Sequence, residues 1–286
     1  NIKSKITVIS NTIAFIISSF LKLTLVYINA ELVYFAYALV FDSLIITIAY
    51  LYIYSKQEQS IFSLSFDKAV AASLLKNGWP MMVVAIAVFV YTRVDQIMIL
   101  HLVGSKAVGF FAAALRVSEL FYFIPLLITQ SVFPKIVQLK ENGNVTEYFK
   151  FLEHLYKLIL WISIPISICL IFFSDLIVKI LYGPMFIEST KILSVLALCL
   201  IFVSIGSVGT KLFYVEGFER KYMKRSLLGV LINIVLNLVL IKSFGAVGAA
   251  YSTLATLFFI HYIYDLFDKD IRKYYHLKLI CFIPKL

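Results

Sequence analysis

The sequence predicts an all-α, polytopic membrane protein, and its composition and patterning both support that fold class. Hydrophobic residues make up 62% of the 286 residues, charged residues only 15%, and the mean hydropathy is +0.94. Soluble domains contain roughly 45–50% apolar and about 25% charged residues. The apolar runs are long enough for membrane helices, whereas the strands of a membrane barrel would be segments of about ten residues with alternating polarity.

Apolar windows predict about eight transmembrane helices along the chain. They lie near residues 6–28, 32–54, 80–102, 108–132, 154–174, 191–215, 226–242 and 246–266. The polar connection after the second span divides the chain into residues 1–56, a cytoplasmic amphipathic linker 57–79, a six-helix part 80–266 and a cytoplasmic tail 267–286. Because the tail is basic where it begins, we expect it to lie along the inner membrane surface rather than to form another span.

The distribution of lysine and arginine predicts the orientation in the membrane. If the N-terminus is inside, most of these residues fall in inner segments, including the run Arg220, Lys221, Lys224 and Arg225. Inner loops of membrane proteins carry such an excess of positive charge. The C-terminus is therefore predicted to be cytoplasmic as well, and the net charge of +10 needs no nucleic acid as a partner.

No enzymatic motif stands out in the sequence. The four histidines lie at span ends or in the tail and do not have the spacing of metal ligands. A glycine-rich phosphate loop, a nucleophile elbow and a clustered acid pair are all absent from the sequence. We therefore predict a transporter without catalytic residues, metal or cofactor rather than an enzyme.

The candidates for function are ionisable residues within the predicted spans. A charge at the bilayer centre costs roughly 2.5–3.5 kcal/mol on insertion scales, so it normally faces a bundle interior or a watery cavity. Four of these residues are cations and three are acids: Lys22, Arg93, Arg116 and Lys211, and Asp42, Asp95 and Glu119. The surplus of cations favours an anionic substrate, which arginine binds through paired hydrogen bonds. One of the acids would bind a coupling proton or a sodium ion, and the sequence does not choose between these ions.

Helical geometry predicts the direction in which some of these side chains point. Arg93 and Asp95 are two positions apart, which is about 200° around a helix, so they cannot both point into one narrow pathway. We expect Arg93 to face the cavity and Asp95 to pair with a cation elsewhere. Arg116 and Glu119 share a helical face, so a self-neutralising structural pair is the alternative to a cavity role. Lys22 and Lys211 lie off-centre in their spans, and extension to the lipid headgroups is the alternative for both.

Short motifs follow one another in a particular order between residues 61 and 266. They are Gly78-Trp-Pro80, Tyr91-Thr-Arg-Val-Asp-Gln96, Val108-Gly-Phe-Phe-Ala-Ala113, Phe133-Pro134, Leu181-Tyr-Gly-Pro-Met-Phe186, Asn233-Ile-Val-Leu-Asn237 and Gly245-Ala-Val-Gly-Ala-Ala-Tyr-Ser-Thr253. In order and spacing they resemble the Wzx-type O-antigen and capsular polysaccharide flippases of the multidrug/oligosaccharidyl-lipid/polysaccharide (MATE-like) exporter superfamily. Phe111 stands where that pattern usually has tyrosine.

The resemblance implies a MATE-like bundle of two lobes. Residues 80–266 would form the complete second lobe and residues 1–56 the last two helices of the first, so the chain looks N-terminally incomplete, which fits its beginning at Asn1. The implied activity is translocation of an undecaprenyl-pyrophosphate-linked O-antigen or capsule repeat unit across a bacterial plasma membrane by alternating access. Arg93 would meet the pyrophosphate or acidic sugars, and Arg116, Lys22 and Lys211 would extend the cationic lining. Association with polysaccharide polymerase machinery is a further expectation.

Three alternatives stay open. A cation-coupled multidrug exporter of the same superfamily would favour an acidic cavity. A flippase for the lipid-linked peptidoglycan precursor usually has more helices after the second lobe than residues 271–286 provide. A membrane-embedded polysaccharide polymerase or acyltransferase would tend to have a sizeable outer loop with catalytic residues, whereas the longest outer connection, residues 175–190, is short and lacks histidine.

Overall fold

The computed structural model describes residues 2–56 and 67–280, and within these ranges the regular structure is entirely helical. The α-helices are α1 (Ile2–Tyr27), α2 (Leu32–Lys56), α3 (Lys68–Leu102), α4 (Ser105–Glu141), α5 (Val145–Phe172), α6 (Ser174–Tyr182), α7 (Ser189–Val215), α8 (Glu219–Phe244), α9 (Ala246–Phe258) and α10 (Lys269–Ile280). The predicted all-α fold class is confirmed.

Seven of the described segments are long and apolar enough to cross a membrane, so the chain is a multi-pass membrane protein. They coincide with the second to eighth predicted spans, and the last one joins α9 to a π-helical turn and a 3₁₀ turn that end at Leu266. The first predicted span lies in α1, where the apolar part Ala14–Tyr27 is shorter. The side chains of residues 6–10 and 13, which belong to that predicted span, are outside the described set.

The chain consists of two compact units, Asn1–Leu74 and Leu75–Leu286. In the first unit, α1 and α2 form an antiparallel pair joined by a short turn. Residues 57–66 of the predicted linker and 281–286 of the predicted tail lie outside the described residues. In the described remainder of the linker, α3 begins at Lys68 and runs without a break into the third span.

The second unit is built around α7. About two thirds of the apolar stretch of this helix, 67%, is buried, and α4, α5 and α9 pack around it. Hydrogen bonds from serine join the helices: Ser118 Oγ donates to the Leu196 carbonyl over 3.1 Å and Ser167 Oγ donates to the Ala197 carbonyl over 2.7 Å. Within a bilayer, such bonds and close packing hold helices together, because lipid tails are as apolar as leucine.

Helices α8 and α9 approach each other very closely. A Cβ atom on Gly248 would lie 2.0 Å from the carbonyl oxygen of Leu240, so only glycine fits there. Ala249 and Ala250 beside it are completely buried. Small residues therefore allow the close packing of these two helices.

The described part of the tail, α10, packs against the helical bundle. In α10, the side chains of Ile271, Tyr274 and Leu277 are buried, and the helix contacts α5 and the turns that follow α9. Lys278 is also buried and reaches Asp265 at the end of those turns. Apolar residues three to four positions apart give α10 one apolar face, and that face covers the helical bundle. The described part of the tail therefore belongs to the second unit, and its position at the inner membrane surface stays a prediction.

Candidate functional site

Arg93 and Glu119 form an ion pair between α3 and α4. Arg93 Nη2 lies 3.1 Å from Glu119 Oε1, and the two side chains are 42% and 27% exposed. They line a cavity of about 280 Å³, which we call the arginine pocket. The pocket is lined by Arg93, Gln96, Ala112, Leu115, Arg116 and Glu119. Glu119 thus pairs across helices with Arg93, and the self-neutralising pair with Arg116 on its own helix is not formed.

The arginine pocket carries a surplus of positive charge. It contains the guanidinium groups of Arg93 and Arg116 but only one carboxylate, that of Glu119. Arg116 is exposed and forms no ion pair within residues 2–56 and 67–280. A guanidinium group presents several donors in a planar fork that matches carboxylate and phosphate groups. The pocket is therefore suited to an anionic ligand.

Asp95 points away from the arginine pocket into the packed side of α3. Its side chain is almost fully buried, at 2% exposure. Oδ1 accepts a hydrogen bond from Asn237 Nδ2 over 2.6 Å, and Oδ2 accepts one from the Thr253 hydroxyl over 2.5 Å. The expectation that Asp95 pairs with a cation is wrong among the residues the structure describes, since both donors are neutral groups on α8 and α9.

A second asparagine extends the polar cluster around Asp95. Asn237 Nδ2 also donates to Asn233 Oδ1 over 3.1 Å, and both asparagines are completely buried. In the described structure, Asn233 Nδ2 and Asn237 Oδ1 have no hydrogen-bond partner. The buried cluster therefore contains carboxylate, amide and hydroxyl oxygens, which are the ligand types that hard cations prefer. The same carboxylate is also able to take up a proton.

Asp95 lines a larger space inside the second unit, which we call the lobe cavity. Its volume is about 370 Å³. Its lining is made of Val88, Tyr91, Thr92, Asp95, Leu115, Glu119, Tyr122, Leu126, Val203, Gly206, Ser207, Thr210, Tyr222, Thr253, Leu257 and His261. Leu115 and Glu119 belong to both linings, so the lobe cavity adjoins the arginine pocket. A cationic pocket and a buried carboxylate thus occur side by side in one unit.

The other predicted site residues have separate surroundings. In the first unit, Lys22 Nζ lies 2.6 Å from Asp42 Oδ2, and the side chains are 37% and 21% exposed. Two residues predicted for different roles are thus paired with each other. In the second unit, the Lys211 ammonium lies 5.0 Å from the centre of the Phe133 ring. Lys211 lines neither the arginine pocket nor the lobe cavity.

A buried polar cluster near α10 is absent from the predicted site residues. Its members are Arg225, His261, Asp265 and Lys278, with exposures of 1%, 7%, 1% and 2%. Lys278 Nζ donates to Asp265 Oδ2 over 2.5 Å and to the His261 carbonyl over 2.6 Å. Arg225 and Lys278 belong to the basic segments that the sequence assigns to the inner side of the membrane. The only sequence signal for their burial is indirect, namely the adjacency of Arg225 to the apolar run that follows it.

Solved membrane transporters share the fold of this helical bundle. A structure of the lipid II flippase MurJ in an inward closed conformation matches with a TM-score of 0.66 at 20% identity, over 96% of this chain and 58% of that one. A MOP superfamily transporter from Pyrococcus furiosus matches with a TM-score of 0.58 at 22% identity, over 70% and 44%. The chain has the fold of the MOP superfamily transporters.

The chain belongs to the family of polysaccharide biosynthesis proteins, whose profile matches residues 1–191. The profile of the lipid II flippase MurJ matches residues 105–285. Among curated proteins, AglR of Haloferax volcanii, described as a probable flippase, is 27% identical over 258 residues, which are 85% of this chain and 50% of AglR. The chain spans half or less of the length of the curated relatives it matches. The resemblance found in the sequence motifs is confirmed.

Proposed function

We propose that this chain is part of a flippase that carries a lipid-linked oligosaccharide across a membrane, and that it is a transporter rather than an enzyme. The single observation that carries the proposal is the arginine pocket of a chain in the polysaccharide biosynthesis family. A lipid-linked glycan carries its negative charge at the phosphate or pyrophosphate between lipid and sugar. Arg93 and Arg116 supply the paired donors that such a group requires.

Arg93 and Arg116 have different roles in this proposal. Glu119 already holds Arg93 at 3.1 Å, so the Arg93 guanidinium is oriented before a ligand arrives. Arg116 has no such partner in the described structure and is exposed, so its guanidinium is available to the second phosphate or to an acidic sugar. The predicted cationic residues also include Lys22 and Lys211, which would extend the lining only if they leave Asp42 and Phe133 during transport.

Asp95 is the residue that we propose for ion coupling. It lies in the lobe cavity next to the arginine pocket, and its neighbours Asn233, Asn237 and Thr253 offer oxygen atoms but no charge. A sodium ion or a proton would neutralise the buried carboxylate. In an alternating-access cycle, such neutralisation changes the packing of α3 against α8 and α9 and so links the ion gradient to the movement of substrate. Asp42 and Glu119 are engaged by cations and are the weaker candidates.

We also propose a specific substrate and a specific membrane, both of which the sequence motifs imply. The substrate is an undecaprenyl-pyrophosphate-linked repeat unit of O-antigen or capsule, moved from the inner to the outer leaflet of a bacterial plasma membrane. The C-terminus is cytoplasmic, and the flippase hands its product to polysaccharide polymerase machinery. A second candidate is the lipid-linked peptidoglycan precursor, which is favoured by the match of residues 105–285 to the lipid II flippase profile. Both substrates carry a pyrophosphate that fits the arginine pocket.

The test is genetic complementation with the full-length gene in two bacterial strains, one lacking its polysaccharide flippase and one depleted of its lipid II flippase. Restored surface glycan in the first strain supports the leading proposal, and restored growth in the second supports the other substrate. Arg93→Ala and Arg116→Ala should each abolish the rescue at unchanged protein level. Lys135→Ala is the matched control, because Lys135 is an exposed cation on the same helix as Arg116 and lies outside the arginine pocket.

Other outcomes would overturn the proposal. Rescue that is unaffected by both arginine substitutions would remove the arginine pocket from the mechanism. Resistance to cationic drugs in place of glycan rescue would favour a multidrug exporter. Glycan polymerisation or acyl transfer by the purified full-length protein would make it an enzyme. Asp95→Asn should abolish the dependence of transport on the ion gradient, and exchanging sodium for potassium at constant pH identifies the ion.

A further inference from the structure

The second unit contains a series of internal spaces that leads from the arginine pocket towards α10. The lobe cavity adjoins the arginine pocket through Leu115 and Glu119. Further along is a void of about 10 Å³, enough for roughly one water molecule. This small void is lined by Tyr156, Gly209, Leu212, Phe213, Phe218, Asp265, Ile271, Tyr274 and Lys278. Tyr274 also lines a surface cavity of about 230 Å³ beside Glu216 and Lys273. The series is interrupted only between the lobe cavity and the small void, among the spaces that the described residues form.

Arg225 lies between the lobe cavity and the small void. Its guanidinium carbon lies 5.0 Å from the ring centre of Tyr222, which lines the lobe cavity, and 4.4 Å from that of Phe213, which lines the small void. Its Nη1 atom lies 3.8 Å from the position that a Cβ atom on Gly209 would take, at the wall of the small void. Arg225 therefore lies between the two spaces, and its guanidinium packs against the Tyr222 ring of the lobe cavity and the Phe213 ring of the small void.

The charge of Arg225 has no counter-ion among residues 2–56 and 67–280. The side chain is 1% exposed, and neither Nη1 nor Nη2 has a hydrogen-bond partner in the described structure. The nearby carboxylate of Asp265 is bonded to Lys278 over 2.5 Å. The carboxylate of Glu216 at the surface end is bonded to Lys140 over 2.8 Å. The aromatic faces of Phe213 and Tyr222 solvate the guanidinium but do not neutralise it.

We propose that Arg225 is an electrostatic barrier that prevents sodium ions and protons from leaking between the lobe cavity and the α10 end of the unit. A fixed, unneutralised arginine in a narrow constriction repels cations and thereby excludes them. The barrier confines ion exchange at Asp95 to the side of the arginine pocket. The inference rests on the proposed function only in assigning a cation to Asp95.

The groups around Arg225 fit a barrier better than a relay of protons. His261 faces it from the π-helical turn Phe259–Ile263, and Lys278 faces the same turn from α10. Protonation of His261 would add another positive charge beside these two cations. Asp265 is the only carboxylate of the buried cluster and is already paired. Tyr91, Tyr222 and Tyr264 also lie near Arg225, and none of them supplies a carboxylate that would balance its charge.

The experiment measures passive sodium and proton flux through the full-length protein in liposomes without substrate. Arg225→Met and Arg225→Gln remove the charge and should raise the leak at least tenfold. Arg225→Lys keeps the charge and should show no more leak than the wild type. Lys224→Met removes an exposed neighbouring charge and should also stay tight. Asp265→Asn disturbs the same buried cluster but leaves Arg225 charged, so it should not leak.

Two results would overturn the inference: folded Arg225→Met protein that is as tight as the wild type, or Asp265→Asn protein that leaks as much as Arg225→Met. If both uncharged variants fail to fold, a measurement with Arg225 intact decides. Ser207→Cys places a thiol in the lobe cavity, and with the native cysteines replaced by alanine, silver ions should react with it from only one face of the membrane. Equal reaction from both faces contradicts a barrier. A loss of glycan transport would change neither the passive ion leak nor the reaction with silver, so failure of the proposed function is recognised separately.

Discussion

The buried ion pair between Lys278 and Asp265 leads to a quantitative prediction for stability. Both residues are almost fully buried, and Lys278 Nζ lies 2.5 Å from Asp265 Oδ2 and 2.6 Å from the His261 carbonyl oxygen. Lys278→Met keeps most of the side-chain volume but leaves the carboxylate buried without its cation. Breaking a buried pair in this way costs about 3–5 kcal/mol. We expect the free energy of unfolding of the second unit to fall by about that amount.

The assay is reversible chemical unfolding of the detergent-solubilised full-length protein. Lys273→Met is the matched control on the same helix, because Lys273 is 47% exposed and lies 3.8 Å from Glu216. An exposed pair of this kind contributes about 1 kcal/mol or less. The double variant Lys278→Met/Asp265→Leu should recover most of the loss, since no charge is left buried. A loss for Lys278→Met no greater than that of the control would refute the reasoning, and a double variant as unstable as the single one would assign the loss to packing.

Two further predictions concern stability. Gly206→Ala should lower the free energy of unfolding by about 1–3 kcal/mol, because the new Cβ would lie 2.4 Å from the His261 ring. Gly209→Ala is the control and should be almost neutral, because its new Cβ would have no atom nearer than 3.8 Å. Equal effects of the two substitutions in unfolding titrations would contradict the close contact at Gly206. Burial of Glu216 tends to raise its pKa, but the hydrogen bond from Lys140 over 2.8 Å and its other partners lower the pKa below its ordinary value. The stabilisation by the charged carboxylate is thus present above the unfolded pKa and is lost as pH falls through the lower folded pKa. Glu216→Gln should therefore lower the free energy of unfolding by about 1.5–3 kcal/mol at pH 7 and by progressively less in acid. A difference between variant and wild type that does not change with pH would count against the charged pair.

Local sequence determined the fold class and the directions of individual side chains. Composition alone requires membrane helices, because so long a series of apolar runs has no other stable surroundings. Helical geometry separates Arg93 from Asp95 by about 200°, and the structure has them on different sides of α3, one in the arginine pocket and one bonded to α8 and α9. The close approach at Gly248 was likewise foreseeable, because only small residues permit it.

Tertiary structure decided which charges meet and which are buried. Glu119 could pair with Arg116 on its own helix, and only the position of α3 against α4 gives it Arg93 instead. Arg225 and Lys278 lie in basic segments, where solvation is available at no cost, so charge counting assigns them to an aqueous loop and a surface tail. Their burial follows from the packing of α10 and the turns after α9 onto the bundle. That contact is non-local, and no periodicity within either segment encodes it.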